Sequence, residues 1–210
     1  MPEALIWGAS GGIGGALVRA LKARGWKVYG AARNESRIPS DADLTCSFSA
    51  GNDYSIDGAV SLIAYQTSAL DLIVYAAGGI RLSAVEDTDS AAWSDMLIAN
   101  LTGAARTIRA SLPLLKEGGH AMIVGAYVDK VTLPRFAPYA VAKAGLEPLV
   151  AILAKEQRKR KFTLVRPPAV ATPFWDGLPL KVPANALTPE QVADAMIARY
   201  DSGETGMLDL

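Results

Sequence analysis

Ala4-Leu5-Ile6-Trp7-Gly8-Ala9-Ser10-Gly11-Gly12-Ile13-Gly14-Gly15 is the stretch that decides the fold. A short apolar run opens directly into a cluster of glycines, and Ala16-Leu-Val-Arg-Ala-Leu-Lys-Ala-Arg24 continues with helical periodicity. The reading is strand, tight turn, helix. Glycines let the backbone turn sharply and approach a pyrophosphate, whose charge is favoured by the free N–H groups and positive dipole end of a helix start. A flexible glycine loop is the plainer alternative, and the ordered pattern on both sides counts against it.

Outward from this turn the chain alternates apolar runs and longer helical patterns, with no linker, repeat or low-complexity segment. Strands are expected at Ala4 to Trp7, Lys27 to Ala31, Asp43 to Ser47, Leu70 to Ala76, Ala121 to Gly125, Phe162 to Arg166 and Gly206 to Leu210. Helices are expected near Gly12 to Arg24, Asp53 to Ser68, Asp89 to Lys116, Ala137 to Lys159 and Pro189 to Asp201. Such alternation predicts an α/β chain: one doubly wound Rossmann domain over residues 1–210, with a mostly parallel seven-stranded sheet and a ligand at the carboxyl ends of the strands. A chain of 210 residues, half of them apolar, suffices for one sizeable core.

Formal net charge is zero, which argues against nucleic acid as a partner. The basic stretch Lys155-Glu-Gln-Arg-Lys-Arg-Lys161 falls at an expected helix end, where cations complement the dipole and stay solvated. A single cysteine, Cys46, excludes an internal disulfide and suits a reducing compartment. With His120 as the sole histidine, the usual Cys/His zinc site is excluded and no metal is expected. His120 sits at a predicted strand start with no partner signature for Ser-His catalysis and reads as a strand-edge residue. No apolar run approaches the ~18 residues of a membrane span and no signal peptide precedes the first strand, so a cytoplasmic protein without a membrane partner is expected.

Tyr139-Ala-Val-Ala-Lys143 carries the second signal. Four residues apart at a helix start, the phenol and the ammonium share a face. An ordinary tyrosine ionises near pH ~10, and a neighbouring ammonium favours the phenolate and brings it toward acid–base work at neutrality. An amphipathic helix that merely carries Tyr and Lys would look the same, so the pair gains its weight from the glycine turn upstream.

In this combination the chain resembles the short-chain dehydrogenase/reductase family over nearly its whole length. Gly8, Gly12 and Gly14 match that family's cofactor glycines, with Ser10 and Ile13 in the same turn. Asp43-Leu44-Thr45 is similar to the segment whose acidic residue meets the adenine. Tyr75-Ala-Ala77-Gly78 resembles the Asn-Asn-Ala-Gly turn after the fourth strand, without its two asparagines. Asn100 matches the residue that holds a proton-relay water against the catalytic lysine, and Tyr139 and Lys143 match the catalytic pair. Arg166-Pro167-Pro168-Ala169-Val170-Ala171-Thr172 resembles the Pro-Gly-x-Val-x-Thr segment at the nicotinamide, with Pro168 replacing the glycine. The resemblance implies cofactor contacts from Gly8, Ser10, Gly12, Ile13, Gly14, Asp43, Ala77, Gly78, Tyr139, Lys143, Pro167, Val170 and Thr172. It also implies a small-molecule substrate and a homodimer or homotetramer. The sequence ends within the last expected strand, short of the tail that many members use in tetramers.

Ala126 is the departure that matters most, because it occupies the position of the family's substrate-polarising serine. A methyl donates no hydrogen bond. Losing such a donor costs on the order of 2.7–4 kcal/mol, so an ordinary ketone needs Tyr127, Thr132 or water as a substitute. The dihydropteridine reductase branch is similar in this respect and in a shortened third crossover: here only Asn34 to Ala42 separates two strands. Cofactor choice turns on Val28-Tyr29-Gly30-Ala31-Ala32-Arg33, where Ala32 takes the place of a carboxylate that would repel a 2′-phosphate. Arg33 can accept that phosphate, which favours NADP with NAD possible, unless Arg33 and Arg37 are simply solvated charges. In the loop Thr172 to Leu187, Phe174, Trp175, Leu178 and Leu180 either wall an apolar pocket or pack the loop. The expected activity is hydride transfer between a nicotinamide and a carbonyl or an imine-like heterocycle. The alternative is a non-catalytic NADP-binding sensor.

Overall fold

The structure is a computed structural model that describes residues 1–210. In β1 (Glu3–Trp7), Leu5 and Trp7 enter one apolar layer while Ala4 and Ile6 enter the other, as a strand covered on both faces requires. β2 (Lys27–Ala32), β3 (Leu44–Ser47), β4 (Leu70–Tyr75), β5 (Leu115–Val124), β6 (Lys161–Arg166) and β7 (Gly206–Asp209) join it in one seven-stranded sheet. The order is β3-β2-β1-β4-β5-β6-β7 and every pairing is parallel. This is the doubly wound Rossmann architecture expected from the alternation. The winding reverses between β1 and β4, which opens a crevice at the carboxyl ends of those two strands.

One face is covered by α1 (Gly12–Ala23) and α8 (Pro189–Ser202), whose Leu17, Val18 and Leu21 meet Val192, Met196 and Ile197. The other is covered by α2 (Asp53–Ala64), α4 (Gly103–Ser111) and α7 (Leu146–Glu156), which bury Ile56, Ile63, Ile108 and Val150 around Trp7, Tyr29 and Tyr75. Local chemistry fixes several helix starts. Asn52 accepts the Ser55 N–H at the head of α2, and Asp89 accepts that of Ala92 at the head of α3 (Ser90–Leu97). Thr188 and Gln191 form a capping box on α8, which Gly203 ends in the left-handed conformation.

The single helix expected from Asp89 to Lys116 is broken. After α3 comes a π-turn at Ile98–Thr102, then α4, then a 3₁₀ turn at Leu112–Leu114 built on Pro113. β5 starts at Leu115 rather than Ala121, because the positive φ of Gly118 lets the strand bulge between the Leu70–Leu115 and Leu72–His120 pairs. The helix expected over Ala137 to Lys159 is α6 (Ala137–Ala144) followed by α7, with the junction at Gly145. A side chain at Gly145 would lie 2.8 Å from Leu101, so the glycine admits that neighbour. Ala137–Glu156 is long and apolar enough by composition to span a bilayer, with a mean hydropathy of 1.3 over its most apolar window, contrary to the sequence expectation. One side of it, with Lys143, Leu146 and Val150, is buried in the fold, and Val141 and Ile152 are exposed on the other.

Between β2 and β3 the chain makes one 3₁₀ turn, Glu35–Arg37, and no crossover helix. Ile38 fills that side instead, against the bare backbone of Gly30. His120 is not a strand-edge residue. It lies inside the sheet between β4 and β6, 1 % exposed, with its Nε2 paired to the Thr163 hydroxyl at 2.8 Å. Burial first, and then Lys161 and Arg199, push its pKa down to about 4.

Candidate active site

Because all strands run parallel, the residues that follow β1, β2, β4, β5 and β6 gather at one edge of the sheet. The turn after β1 is anchored there by the Gly8 and Ala9 N–H groups, which both donate to the Ala31 carbonyl of β2. Gly8 has φ +90°, and a Cβ on it would lie 2.5 Å from the Ala77 nitrogen. The two turns therefore touch backbone to backbone, which only glycine permits. Gly11 precedes α1 without a side-chain cap, and the N–H groups of Gly12, Ile13 and Gly14 have no acceptor in the chain. Those donors, with Ser10 beside them and no acidic residue in the first turn, suit a pyrophosphate. Thr172 leans over the same turn, since a Cβ on Gly12 would lie 2.4 Å from its methyl.

The second half of the site is assembled around Gly78. A Cβ there would lie 2.9 Å from the Asn100 side-chain oxygen and 3.8 Å from the Lys143 ammonium. Asn100 is fully buried: its amide donates to the carbonyls of Gly79 (2.8 Å) and Met96 (3.0 Å), and its oxygen accepts the Gly79 N–H. Lys143 donates to the Val124 carbonyl at 2.9 Å, two residues before Ala126. Tyr139 lies one turn earlier on α6 with the ammonium 5.8 Å from its ring centroid, and its hydroxyl has no partner in the chain.

Burial dominates the electrostatics of this pair. It pushes the Lys143 ammonium down to about 8 and raises the Tyr139 phenol above its ordinary value. The lowering of the phenol expected from Lys143 is thus absent in the cofactor-free chain, where the ammonium is turned to Val124. Phe136 and Phe174 close over Tyr139 with centroids 6.4 and 5.8 Å away, and Trp175 packs on Phe174 while donating to the Val170 carbonyl at 2.8 Å. Phe174 therefore walls the site, with Trp175 behind it. The Thr132 hydroxyl donates to the Val128 carbonyl at 2.7 Å, and the Tyr127 ring lies under the Arg166 guanidinium at 5.3 Å.

Gly8, Ser10, Gly12, Ile13, Gly14, Ala77, Gly78, Asn100, Tyr139, Lys143 and Thr172 are thus brought together, and Pro167 and Val170 lie on the segment leaving β6. Arg33 follows β2 on the same edge, and neither it nor Arg37 forms an ion pair. Asp43 is not part of this group. It precedes β3, level with Val28, at the far end of the sheet, where its carboxylate accepts from Lys22 Nζ at 2.7 Å and the Val28 N–H at 2.7 Å. The β3 residue at the cofactor edge is Ser47. It was missed because a four-residue strand gives no sign of its direction until its register with β2 is known. Val124, whose carbonyl holds Lys143, also escaped notice, since a backbone acceptor leaves no mark in a sequence.

The chain matches the family model for short chain dehydrogenases over residues 2–181. Among curated proteins it is 31% identical to the 3-oxoacyl-(acyl-carrier-protein) reductase FabG of Vibrio cholerae, across 96% of this chain and 93% of the relative. It is 26% identical to an uncharacterized oxidoreductase of Staphylococcus epidermidis, across 92% and 88%. Among solved structures, an alcohol dehydrogenase from the archaeon Thermococcus sibiricus, complexed with 5-hydroxy-NADP, superimposes with TM-score 0.89 at 25% identity, covering 100% of this chain and 95% of that one. The aldohexose dehydrogenase of Thermoplasma acidophilum has the same fold, with TM-score 0.87 at 18% identity and coverage of 100% and 92%. With the glycine turn, the Asn100–Lys143–Tyr139 cluster and the family match in agreement, the chain belongs to the short-chain dehydrogenase/reductase family of NAD(P)-dependent oxidoreductases.

Proposed function

We propose that this protein is an NADP-dependent reductase that transfers a hydride to a carbonyl or an imine-like carbon while Tyr139 exchanges the proton. The observation that carries the reading is Tyr139, a buried side chain next to Lys143 whose hydroxyl is bonded to nothing in its own chain. A nicotinamide dinucleotide held at this edge of the sheet would supply the hydride. Gly8, Ser10, Gly12, Ile13, Gly14, Ala77 and Gly78 would hold the dinucleotide's phosphates and riboses, and Pro167, Val170 and Thr172 its nicotinamide end. Tyr139 gives its proton to the substrate heteroatom as negative charge develops there. Lys143 holds positive charge near the phenol and passes a proton to it, regaining one from solvent by way of the Asn100 side.

Arg33 and Arg37 support NADP over NAD, as two guanidinium groups with no partner in the chain at the edge where a ribose 2′-phosphate would lie. The substrate reading rests on Ala126. Thr132 spends its hydroxyl on Val128 and so does not replace the missing serine in this arrangement, while the Tyr127 ring packs against Arg166. That favours a planar heterocycle protonated at nitrogen by Tyr139, in the manner of the pteridine-reductase-like branch. The 3-oxoacyl reductase relatives favour a ketone. Homodimers or homotetramers in the cytoplasm are the expected working form, and the apolar outer face of α6 supports assembly.

NADPH consumption with simple ketones, a 3-oxoacyl thioester, quinones and quinonoid dihydropterin is the deciding measurement, on wild type, Tyr139→Phe and Ala126→Ser. Tyr139→Phe is expected to keep nucleotide binding while turnover falls by roughly a hundredfold or more. Ala126→Ser is expected to raise ketone turnover and leave the heterocycle unchanged. Tight NADPH binding without turnover of anything would instead make the protein a sensor of nucleotide state. Unchanged turnover in Tyr139→Phe would remove the phenol from the mechanism.

A further inference from the structure

Tyr75 ends β4 where the family turn has asparagine, and its side chain is buried between the sheet and the helices that cover it. Its hydroxyl donates to the Ala99 carbonyl at 2.8 Å. That carbonyl needs a donor for a specific reason. In a regular α-helix Ala99 would accept the N–H of Gly103, four residues on. Here the π-turn sends the Gly103 N–H to Ile98, five residues back, and the Ala99 carbonyl loses its helical partner. Gly103 has no side chain to interfere: a Cβ there would lie 2.8 Å from the Tyr75 hydroxyl and 2.6 Å from the Ile98 oxygen. The residue after Ala99 is Asn100, whose amide turns back on Met96 and clamps Gly79. Burial keeps the Tyr75 phenol protonated, and therefore a donor.

We propose that Tyr75 is a positioning residue for Asn100: its hydroxyl takes the place of a helical N–H at Ala99, Gly103 leaves room for it, and together they hold the π-turn that presents Asn100 to Gly79 and Lys143. The inference rests on the reading of Asn100, Lys143 and Tyr139 as the acid–base group. It assigns to the tyrosine a task distinct from packing. The helix is held in its widened form by the strand that leads into the cofactor turn, so nucleotide cradle and proton relay share one hydrogen bond.

The test compares Tyr75→Phe with Tyr29→Phe, which removes the hydroxyl of another fully buried tyrosine, on β2 beyond β1, where it donates to Glu3 at 2.6 Å. Both variants are expected to lose similar thermal stability. In the nucleotide-free protein, only Tyr75→Phe should speed amide hydrogen exchange across residues 97–104, by roughly tenfold or more. In turnover with the best substrate of the panel, only Tyr75→Phe should lower kcat, roughly threefold to tenfold, and shift its pH profile, with KM and nucleotide Kd held within about twofold. If Tyr75→Phe does not fold, Tyr75→Met, which likewise keeps apolar bulk and lacks the hydroxyl, carries the same comparison against Tyr29→Met. Exchange and pH profile indistinguishable from Tyr29→Phe would overturn the proposal. Turnover unaffected by Tyr139→Phe would overturn the underlying acid–base reading instead, with the exchange result still deciding what Tyr75 holds.

Discussion

Arg33 and His120 show how far single residues can be read. Arg33 is exposed and unpaired just after β2, so on the NADP reading proposed above Arg33→Ala is expected to weaken NADPH binding at least several-fold. NADH binding should barely change, because one charge-assisted contact is worth about 1.5–3 kcal/mol. Equal losses in titrations of the two nucleotides would remove the assignment. His120, as the only histidine, gives a single imidazole resonance whose NMR titration is expected to have its midpoint near pH 4. Its folded value lies below the ordinary 6.5, so the unfolded chain binds the extra proton between these limits. Its contribution to stability is therefore complete above about pH 6.5 and lost as pH falls through about 4; a midpoint above 6 would mean that the ring is solvated. Tyr139, Lys143, Asn100 and the turn glycines were legible because their chemistry depends on residue type at fixed spacing. Asp43 misled for the opposite reason. A carboxylate near a strand start is the same letter whether it faces the cofactor edge or, as here, neutralises Lys22 at the far end.

At the scale of elements, periodicity located the seven strands and five main helical regions, because layers covered on both sides demand continuous apolar runs and striped helices. It could not show the π-turn at Ile98–Thr102 or the bulge before His120, since neither changes which residues are apolar. Both depend on tertiary partners, Tyr75 for the first and the β4 register for the second. The glycine turn offers a sharp test. A Cβ on Gly14 would lie 2.2 Å from the Gly8 carbonyl oxygen, a contact with backbone that no rotamer change relieves. Gly14→Ala is therefore expected to push α1 off β1, costing about 1–3 kcal/mol in denaturant unfolding and most of the nucleotide affinity. Gly58, with nothing within 4 Å, provides the comparison: Gly58→Ala in α2 should be neutral or stabilising. A loss at Gly14 no larger than at Gly58 would mean that the close approach of α1 to β1 is dispensable.

For the whole molecule, the alternating pattern foretold a parallel doubly wound sheet, but not which surface joins another copy. The face of α6 opposite Tyr139 carries an apolar groove of about 520 Å³ between Val128, Leu133, Pro134, Ala137 and Val141. Val141 is 51 % exposed there, on the helix that bears Tyr139 and Lys143. Val141→Glu is expected to convert a dimer or tetramer to smaller species in light scattering while leaving the monomer folded; a wild type that is already monomeric would dismiss the assembly. The pairing of α1 with α8 has a consequence for how the protein comes into being. Leu17, Val18 and Leu21 leave the ribosome well before Val192, Met196 and Ile197, the α8 residues that cover them. β1 likewise gains its second neighbour only when β4 has emerged. Until α8 has emerged the nucleotide-binding half thus presents a bare apolar helix face, and a nascent chain stalled before α8 would be a natural client for a chaperone.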